Sequence, residues 1–301
     1  MARSFKSQQK VVVVTGCSSG LGLAVAKCLY QETQHRLVIT ARRPSLGVIQ
    51  DLFPACERTM VRELDVTVSS QIHTLLNEVC NRWGRIDVLV NNAGVCFRSV
   101  VEHMDEDAEE VQLRTNYLGP MMMIKSVLPL MREQRSGHII NVSSVSGMLS
   151  MPTMASYSAS KHALEGASEA LWYEARPYGI RVTLVQPGFI NSRSFQNVIL
   201  PNKARMSASV QGPHSEFYDS MGPFIEGLMQ RSWATPERIA RKVYKLIEMR
   251  DPPLRMKVTL DAFLFAMLRR VVPAALFHRL MFKLLPQSKN WGREKVFRKS
   301  S

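Results

Sequence analysis

No stretch of this chain is both apolar and uncharged for long enough to cross a bilayer. Met1 to Lys10 is polar and basic. The apolar run behind it, Val11 to Val14, is far shorter than the hydrophobic region of a signal peptide, so secretion is not expected. Cysteine is scarce: Cys17, Cys28, Cys56, Cys80 and Cys96 make an odd set of five with no CxxC spacing. That argues against a disulfide framework or a zinc site, so no metal is expected, and a reducing, cytoplasmic setting fits best. Internal repeats, low-complexity segments and recognised nucleic-acid modules are all missing, and nucleic acid is not an expected partner. Acid is the last deficit: 25 Asp and Glu stand against 39 Lys and Arg, a net charge of +14. Most of the surplus lies in residues 231–301, with 17 basic against 5 acidic side chains, a net of +12. A solvated basic tail and attraction to an anionic membrane face both fit that distribution.

What the chain does have is an alternation of short β-branched runs and helical patterns. Strands are expected at Val11–Thr15, Leu37–Thr40, Val61–Leu64, Asp87–Val90, His138–Val142 and Arg181–Val185. Helical spacing lies between them, near 21–31, 71–83, 118–131 and 155–178. Thr235, Pro236 and Glu237 carry the N-cap, N1 and first-turn signals of a further helix. Strands alternating with helices imply right-handed βαβ units, hence an α/β fold with a single doubly wound parallel sheet of Rossmann type. A catalytic domain over 1–250 with a C-terminal helical extension over 251–301 is the expected organisation, and 46% hydrophobic residues suffice for its core.

Between the first strand and first helix lies Thr15-Gly16-Cys17-Ser18-Ser19-Gly20-Leu21-Gly22, a TGxxxGxG turn. In such a turn Gly16 permits the tight bend, Gly20 lets backbone approach a pyrophosphate, and Gly22 allows close helix packing. The helix N-terminus behind it attracts the phosphate charge. At the end of the second strand, where a carboxylate would bind a ribose 2′-hydroxyl, the run is Thr40-Ala41-Arg42-Arg43. Two guanidiniums and no acid favour a 2′-phosphate, hence NADP(H), unless one or both are solvated surface charges.

Tyr157 and Lys161 are four residues apart on one expected helix, one turn from each other on one face. An ammonium there favours tyrosinate and would lower the phenol pKa. Ser144 lies thirteen residues upstream, past the carboxyl end of a strand, where doubly wound sheets bind ligands. With Asp65, Asn91-Asn92-Ala93-Gly94, Asn116 and Pro187-Gly188 in the same order, the chain resembles the short-chain dehydrogenase/reductase family from about Val11 to Phe189, and more loosely to Met249. The TGCSSG turn and residues 157–166 are similar to the branch of 17β-hydroxysteroid dehydrogenase type 1 and the photoreceptor retinol dehydrogenases. The resemblance implies Tyr157 as general acid/base, Lys161 as its partner and a ribose ligand, and Ser144 as hydrogen-bond partner of the substrate oxygen. It implies Asn116 as holder of a relay water and Asp65 with Val66 beside the adenine. Asn92, Ala93, Gly94, Pro187 and Gly188 would line the cofactor cleft, and a homodimer would form through the helices at 118–131 and 155–178.

Residues 189–234 have no clear period but carry Phe189, Phe195, Met206, Phe217, Tyr218, Met221, Phe224, Met229 and Trp233. Such a segment can wall an apolar substrate pocket or simply pack on the core. In 258–285 basic and apolar residues interleave, and Pro273 interrupts the helix. Leu276, Phe277, Leu280, Met281, Leu284 and Leu285 share a face suited to a membrane surface, to the protein's own core or to a second subunit. The leading expectation is NADP(H)-dependent interconversion of an alcohol and a carbonyl on a lipophilic substrate. A 3-oxoacyl or small-carbonyl reductase is the first alternative, a non-catalytic dinucleotide sensor the second.

Overall fold

Four valines in a row, Val11–Val14, form strand β1, and all four are buried. Side chains alternate across a strand, so Val12 and Val14 enter one core cluster and Val11 and Val13 another. A strand covered on both faces has no polar side to show, which is why it reads as an unbroken apolar run. The computed structural model describes residues 9–54, 56–192, 197–209 and 214–292. In it β1 is joined by β2 (Arg36–Ala41), β3 (Thr59–Glu63), β4 (Val88–Asn91), β5 (Gly137–Val142), β6 (Ile180–Gln186) and β7 (Arg255–Lys257). The sheet order is β3-β2-β1-β4-β5-β6-β7, with every pairing parallel. Chain direction across the sheet reverses between β1 and β4, the point where doubly wound sheets open a ligand crevice at their carboxyl ends.

Helices α1 (Gly20–Glu32), α2 (Arg43–Leu52) and α9 (Pro236–Glu248) pack on one face through Val25, Leu29, Ile49, Ile239 and Val243. On the other face lie α3 (Ser69–Trp83), α5 (Gly119–Glu133) and α6 (Ala155–Ala175), through Ile72, Leu75, Met123, Val127 and Leu171. Helix α4 (Glu106–Leu113) runs into α5 through a π-helical turn, Arg114–Leu118. The expected single-sheet Rossmann-type fold with a helical C-terminal region is therefore the fold of this chain.

Three features depart from the sequence reading. Residues 189–234 are not irregular: they hold α7 (Asn202–Ser209) and α8 (Ser215–Gln230). Tyr218, Met221 and Ile225 of α8 are buried at helical spacing, but Gly222 and Pro223 interrupt the pattern and read as breakers in isolation. Strand β7 is only three residues long and gains its regularity by pairing with β6. Helix α2, where no helical spacing is expected, begins at the arginine pair behind β2, with Arg42 as its N-cap. Phe195 and the basic residues of 293–301 lie outside the described residues.

The C-terminal region forms α10 (Leu260–Val271) and α11 (Ala274–Leu284), separated at Pro273 as expected. It is tied to the sheet edge: Thr259 Oγ1 accepts from Gly188 N at 2.8 Å, and Asp261 Oδ2 accepts from Phe189 N at 2.7 Å. A Cβ on Gly188 would run into that Asp261 carboxylate.

Candidate active site

The turn after β1 is shaped by two left-handed glycines, Gly16 at φ +71° and Gly20 at φ +56°. A Cβ on Gly16 would press on the Ala93 backbone, and one on Gly22 would collide with the Gly16 carbonyl and the Asn92 amide. In front of Gly20 nothing comes within 4 Å, so the approach to the turn is open on that side. Ser19 is the N-cap of α1 but makes no side-chain cap, and Ser18 beside it is exposed. The first amides of a thirteen-residue helix are thus left for an anion at the mouth of this turn, with Leu21 half-buried beside them. A dinucleotide pyrophosphate fits this cradle.

Thr15 and Asn92 hold the cradle in place. Thr15 Oγ1 accepts from Asn92 N at 3.0 Å and Ala93 N at 3.1 Å. The Asn92 amide donates to the carbonyls of Thr15 and Gly16, both at 3.0 Å. At the end of β2, Arg42 is the N-cap of α2 and Arg43 its first residue. Arg43 is 86% exposed and leans on Glu63 of β3, Nε to Oε2 3.3 Å, a contact the sequence reading did not foresee. Asp65 Oδ1 accepts from Thr67 N at 2.9 Å and Thr67 Oγ1 at 2.6 Å, which sets the turn after β3. Val66 is buried where Gly119 has no side chain to oppose it.

Ser144 and Tyr157 come together past the carboxyl end of β5. Ser144 caps a 3-10 turn, Val145–Gly147, accepting from Ser146 N at 3.1 Å, and its hydroxyl lies beside the Tyr157 phenol. Lys161, one turn along α6, is buried, and its Nζ donates to the Val142 carbonyl at 2.9 Å. That Nζ stands 5.8 Å from the Tyr157 ring centre. The expectation that the ammonium lowers the phenol pKa is not met in this arrangement. Burial pushes Tyr157 above its ordinary value, nearby Cys96 adds to the rise, and Ser144 opposes it. Burial brings Lys161 down to about 8, opposed by Cys96 and Glu165. The lysine stem spends its reach on the strand end, because an unpaired ammonium this deep would be costly.

Asn116 sits within the π-helical turn, a distortion often found at functional sites. Its Oδ1 accepts from Val95 N at 2.8 Å, and its Nδ2 donates to Val95 O at 2.9 Å and Ser160 Oγ at 3.1 Å. The side-chain amide is thus committed to joining the segment after β4, including Gly94, to α6. Pro187 accepts from Val145 N at 2.7 Å, closing the site against the end of β6.

Several supporting residues escaped the sequence. Gln112 is buried and bridges Phe97 N at 2.6 Å to Ser156 Oγ at 2.8 Å. Glu165 accepts from Gln186 and from Arg255 of β7, both at 2.9 Å, fixing α6 on the sheet edge. Nothing in local pattern marks them, since each acts across 15 to 90 residues of chain. Cys96 approaches Tyr157 and Lys161, and burial pushes its thiol up to about 12.

A glycine turn at the switch point and a Ser–Tyr–Lys group at the neighbouring strand end define a nucleotide-dependent oxidoreductase. The family model for short chain dehydrogenase matches residues 10–202, and the chain belongs to that family. A 3-ketodihydrosphingosine reductase of Bacteroides thetaiotaomicron is 34% identical over 256 residues, covering 83% of this chain and 88% of the relative. Retinol dehydrogenase 8 of Bos taurus is 32% identical over 255 residues, covering 82% and 81%. Among solved structures, ElxO with NADP bound superposes with a TM-score of 0.63 at 26% identity, covering 79% of this chain and 91% of that one.

Proposed function

We propose that this chain is an NADP(H)-dependent enzyme that interconverts an alcohol and a carbonyl on a lipophilic substrate. The observation that carries the reading is the convergence of Ser144 and Tyr157 past the end of β5 with Lys161 one turn along α6, its Nζ 5.8 Å from the Tyr157 ring centre. The bound nicotinamide supplies or accepts the hydride. Residues 15–22 with Asn92, Ala93 and Gly94 would hold its dinucleotide, with Asp65 and Val66 at the adenine end and Arg42 and Arg43 at the 2′-phosphate. Pro187 and Gly188 close the nicotinamide end. In reduction Tyr157 Oη donates its proton to the substrate oxygen while Ser144 Oγ hydrogen-bonds that oxygen. In oxidation Tyr157 Oη takes the hydroxyl proton. Lys161 lines the same helix face and would hold the nicotinamide ribose, and Asn116 joins α6 to the segment after β4, where the relay would run.

A lipophilic substrate is supported by the apolar side chains that α8 brings beside the segment after β4, with Tyr218 and Met221 buried and Phe217 and Phe224 half-buried. It is also supported by two relatives, one named for 3-ketodihydrosphingosine and one for retinol. Cofactor consumption measured over retinoids, steroids, a 3-ketosphingoid base, 3-oxoacyl thioesters and small carbonyls tests it. Turnover on lipids is expected, and turnover confined to small carbonyls would replace this reading with the small-carbonyl alternative. A homodimer through α5 and α6, on which Tyr173 is 63% exposed, belongs to the same reading, and the mass in solution checks it.

The enzyme is also proposed to lie on an anionic membrane surface. No helix among the described residues is long and apolar enough to cross one. On α10, Leu260, Phe263, Leu264, Met267 and Val271 follow one helical stripe and are exposed. On α11 the expected face divides in two. Phe277 is buried and Met281 and Leu285 half-buried against the protein, while Leu276, Leu280 and Leu284 point outward. Arg269, Arg270, Arg279 and Lys283 lie exposed on the same two helices, a charge complement to acidic headgroups. Removing the whole tail is a poor test, because it takes away β7 and the Thr259 and Asp261 bonds to residues 188–189. The exposed side chains are the better target. Phe263→Ser, Met267→Ser, Leu276→Ser and Leu280→Ser together remove apolar burial of roughly 25 cal/mol per Å2. Flotation with phosphatidylserine vesicles should fall to background in this variant, with the melting temperature held. Equal flotation of both proteins would overturn the proposal.

A further inference from the structure

Away from the Ser–Tyr–Lys group, three side chains with metal-binding donors converge where α8 meets the segment after β4. Glu102 and His103 belong to a 3-10 turn, Val101–His103, and His214 is the residue immediately before α8. One donor atom from each lies within 4.8 Å of the other two. His214 Nε2 is 2.8 Å from Glu102 Oε2, and the two imidazole rings are 5.3 Å apart at 72°. We propose that Glu102, His103 and His214 form a site for a first-row divalent cation, zinc or its analogues, that pins α8 to the segment after β4.

The donor set suits such an ion. Two imidazoles and one carboxylate are borderline ligands that favour zinc, cobalt or nickel over magnesium or calcium, and water completes the coordination. It contains no cysteine, so the cysteine spacing that argued against zinc had no bearing on it. Without an ion, an exposed Glu–His contact contributes little to holding a helix in place.

The surroundings prepare His103 for the task. Ser99 Oγ donates to the Val100 carbonyl at 2.8 Å, so toward the Tyr218 hydroxyl, 3.4 Å away, it can only accept. Tyr218 Oη accepts from Val100 N at 3.3 Å and lies 3.0 Å from His103 Nδ1, within reach of a proton on that nitrogen. A proton on Nδ1 leaves the Nε2 lone pair of His103 for a metal. This is the usual arrangement of a ligating histidine, whose second nitrogen donates to a fixed partner.

The position gives the ion a structural task. Tyr218 is buried against residues 99–103, and Gly222, one turn further, leaves room for the Arg98 guanidinium. The same segment carries Cys96 beside Tyr157. A cation bridging Glu102, His103 and His214 would fasten the first turn of α8 to the segment after β4. Neither the cofactor nor the chemistry is needed to see it.

The test uses the full chain, stripped with a chelator and titrated with cobalt, whose visible absorption reports a nitrogen and oxygen environment. Zinc is then measured by competition and by its effect on the melting temperature. One equivalent of cobalt should bind. Glu102→Gln, an exposed change of almost no volume, and His214→Ala should each weaken it at least about tenfold, and Tyr218→Phe about tenfold. Zinc should raise the melting temperature of the wild-type chain and not that of Glu102→Gln, since only binding to the folded state stabilises it. Absence of cobalt binding, or equal binding by wild type and Glu102→Gln, would overturn the proposal.

Discussion

Tyr157→Phe should lower kcat by about 100- to 10,000-fold while leaving cofactor affinity almost unchanged, because the proton transfer it removes exists only in the transition state. The ring and its packing remain, so the loss reads on chemistry and not on folding. Lys161→Ala should lose both activity and cofactor affinity, since it removes a buried cation held at the Val142 carbonyl. Cofactor fluorescence titration and steady-state kinetics separate the two variants. The pH dependence follows from the phenol. Burial holds Tyr157 above its ordinary value, so it is protonated at neutral pH and ready to donate in reduction. Oxidation must first take that proton away, so its rate should still be climbing with pH above neutrality. A Tyr157→Phe enzyme with near-normal turnover would remove the mechanism altogether.

Arg42→Asp combined with Arg43→Ala should reverse the cofactor preference. Losing a charged partner of a phosphate costs roughly 1.5–3 kcal/mol, about ten- to a hundredfold in NADP(H) affinity, and NAD(H) should be spared or improved. The Arg43–Glu63 contact sharpens the expectation. Without Arg43, Glu63 at the end of β3 no longer has that guanidinium and adds a carboxylate near the corner. Direct titration of both cofactors on wild type and variant is the measurement. Wild-type preference for NAD(H) would show that the two guanidiniums serve only the surface and Glu63.

Local pattern was enough for six of the seven strands. Val11–Val14 is buried throughout and reads as a continuous apolar run, while the strands at 137–142 and 180–186 stay legible through Ile139, Ile140 and Val142 and through Val182, Leu184 and Val185. The glycine turn was legible for a related reason: Gly16 and Gly20 adopt left-handed φ, and Gly22 sits where a Cβ would collide. Tyr157 and Lys161 could be paired from their spacing, because i and i+4 share a helix face. Their electrostatics could not. Whether an ammonium reaches the phenol or the Val142 carbonyl depends on how α6 packs against β5, and that packing placed Lys161 on the strand end. The same holds for α8, whose buried stripe outweighs Gly222 and Pro223 only when residues 98–103 lie beneath it. It holds for α11, where one apolar face became two stripes with Phe277 turned in and Leu276 turned out. The sequence by itself determined the fold class and the family, because periodicity and turn chemistry act within a few residues of chain. Only the tertiary structure decided which side chains pair, which are exposed and where Glu102, His103 and His214 meet, because those outcomes depend on contacts between residues far apart in the chain.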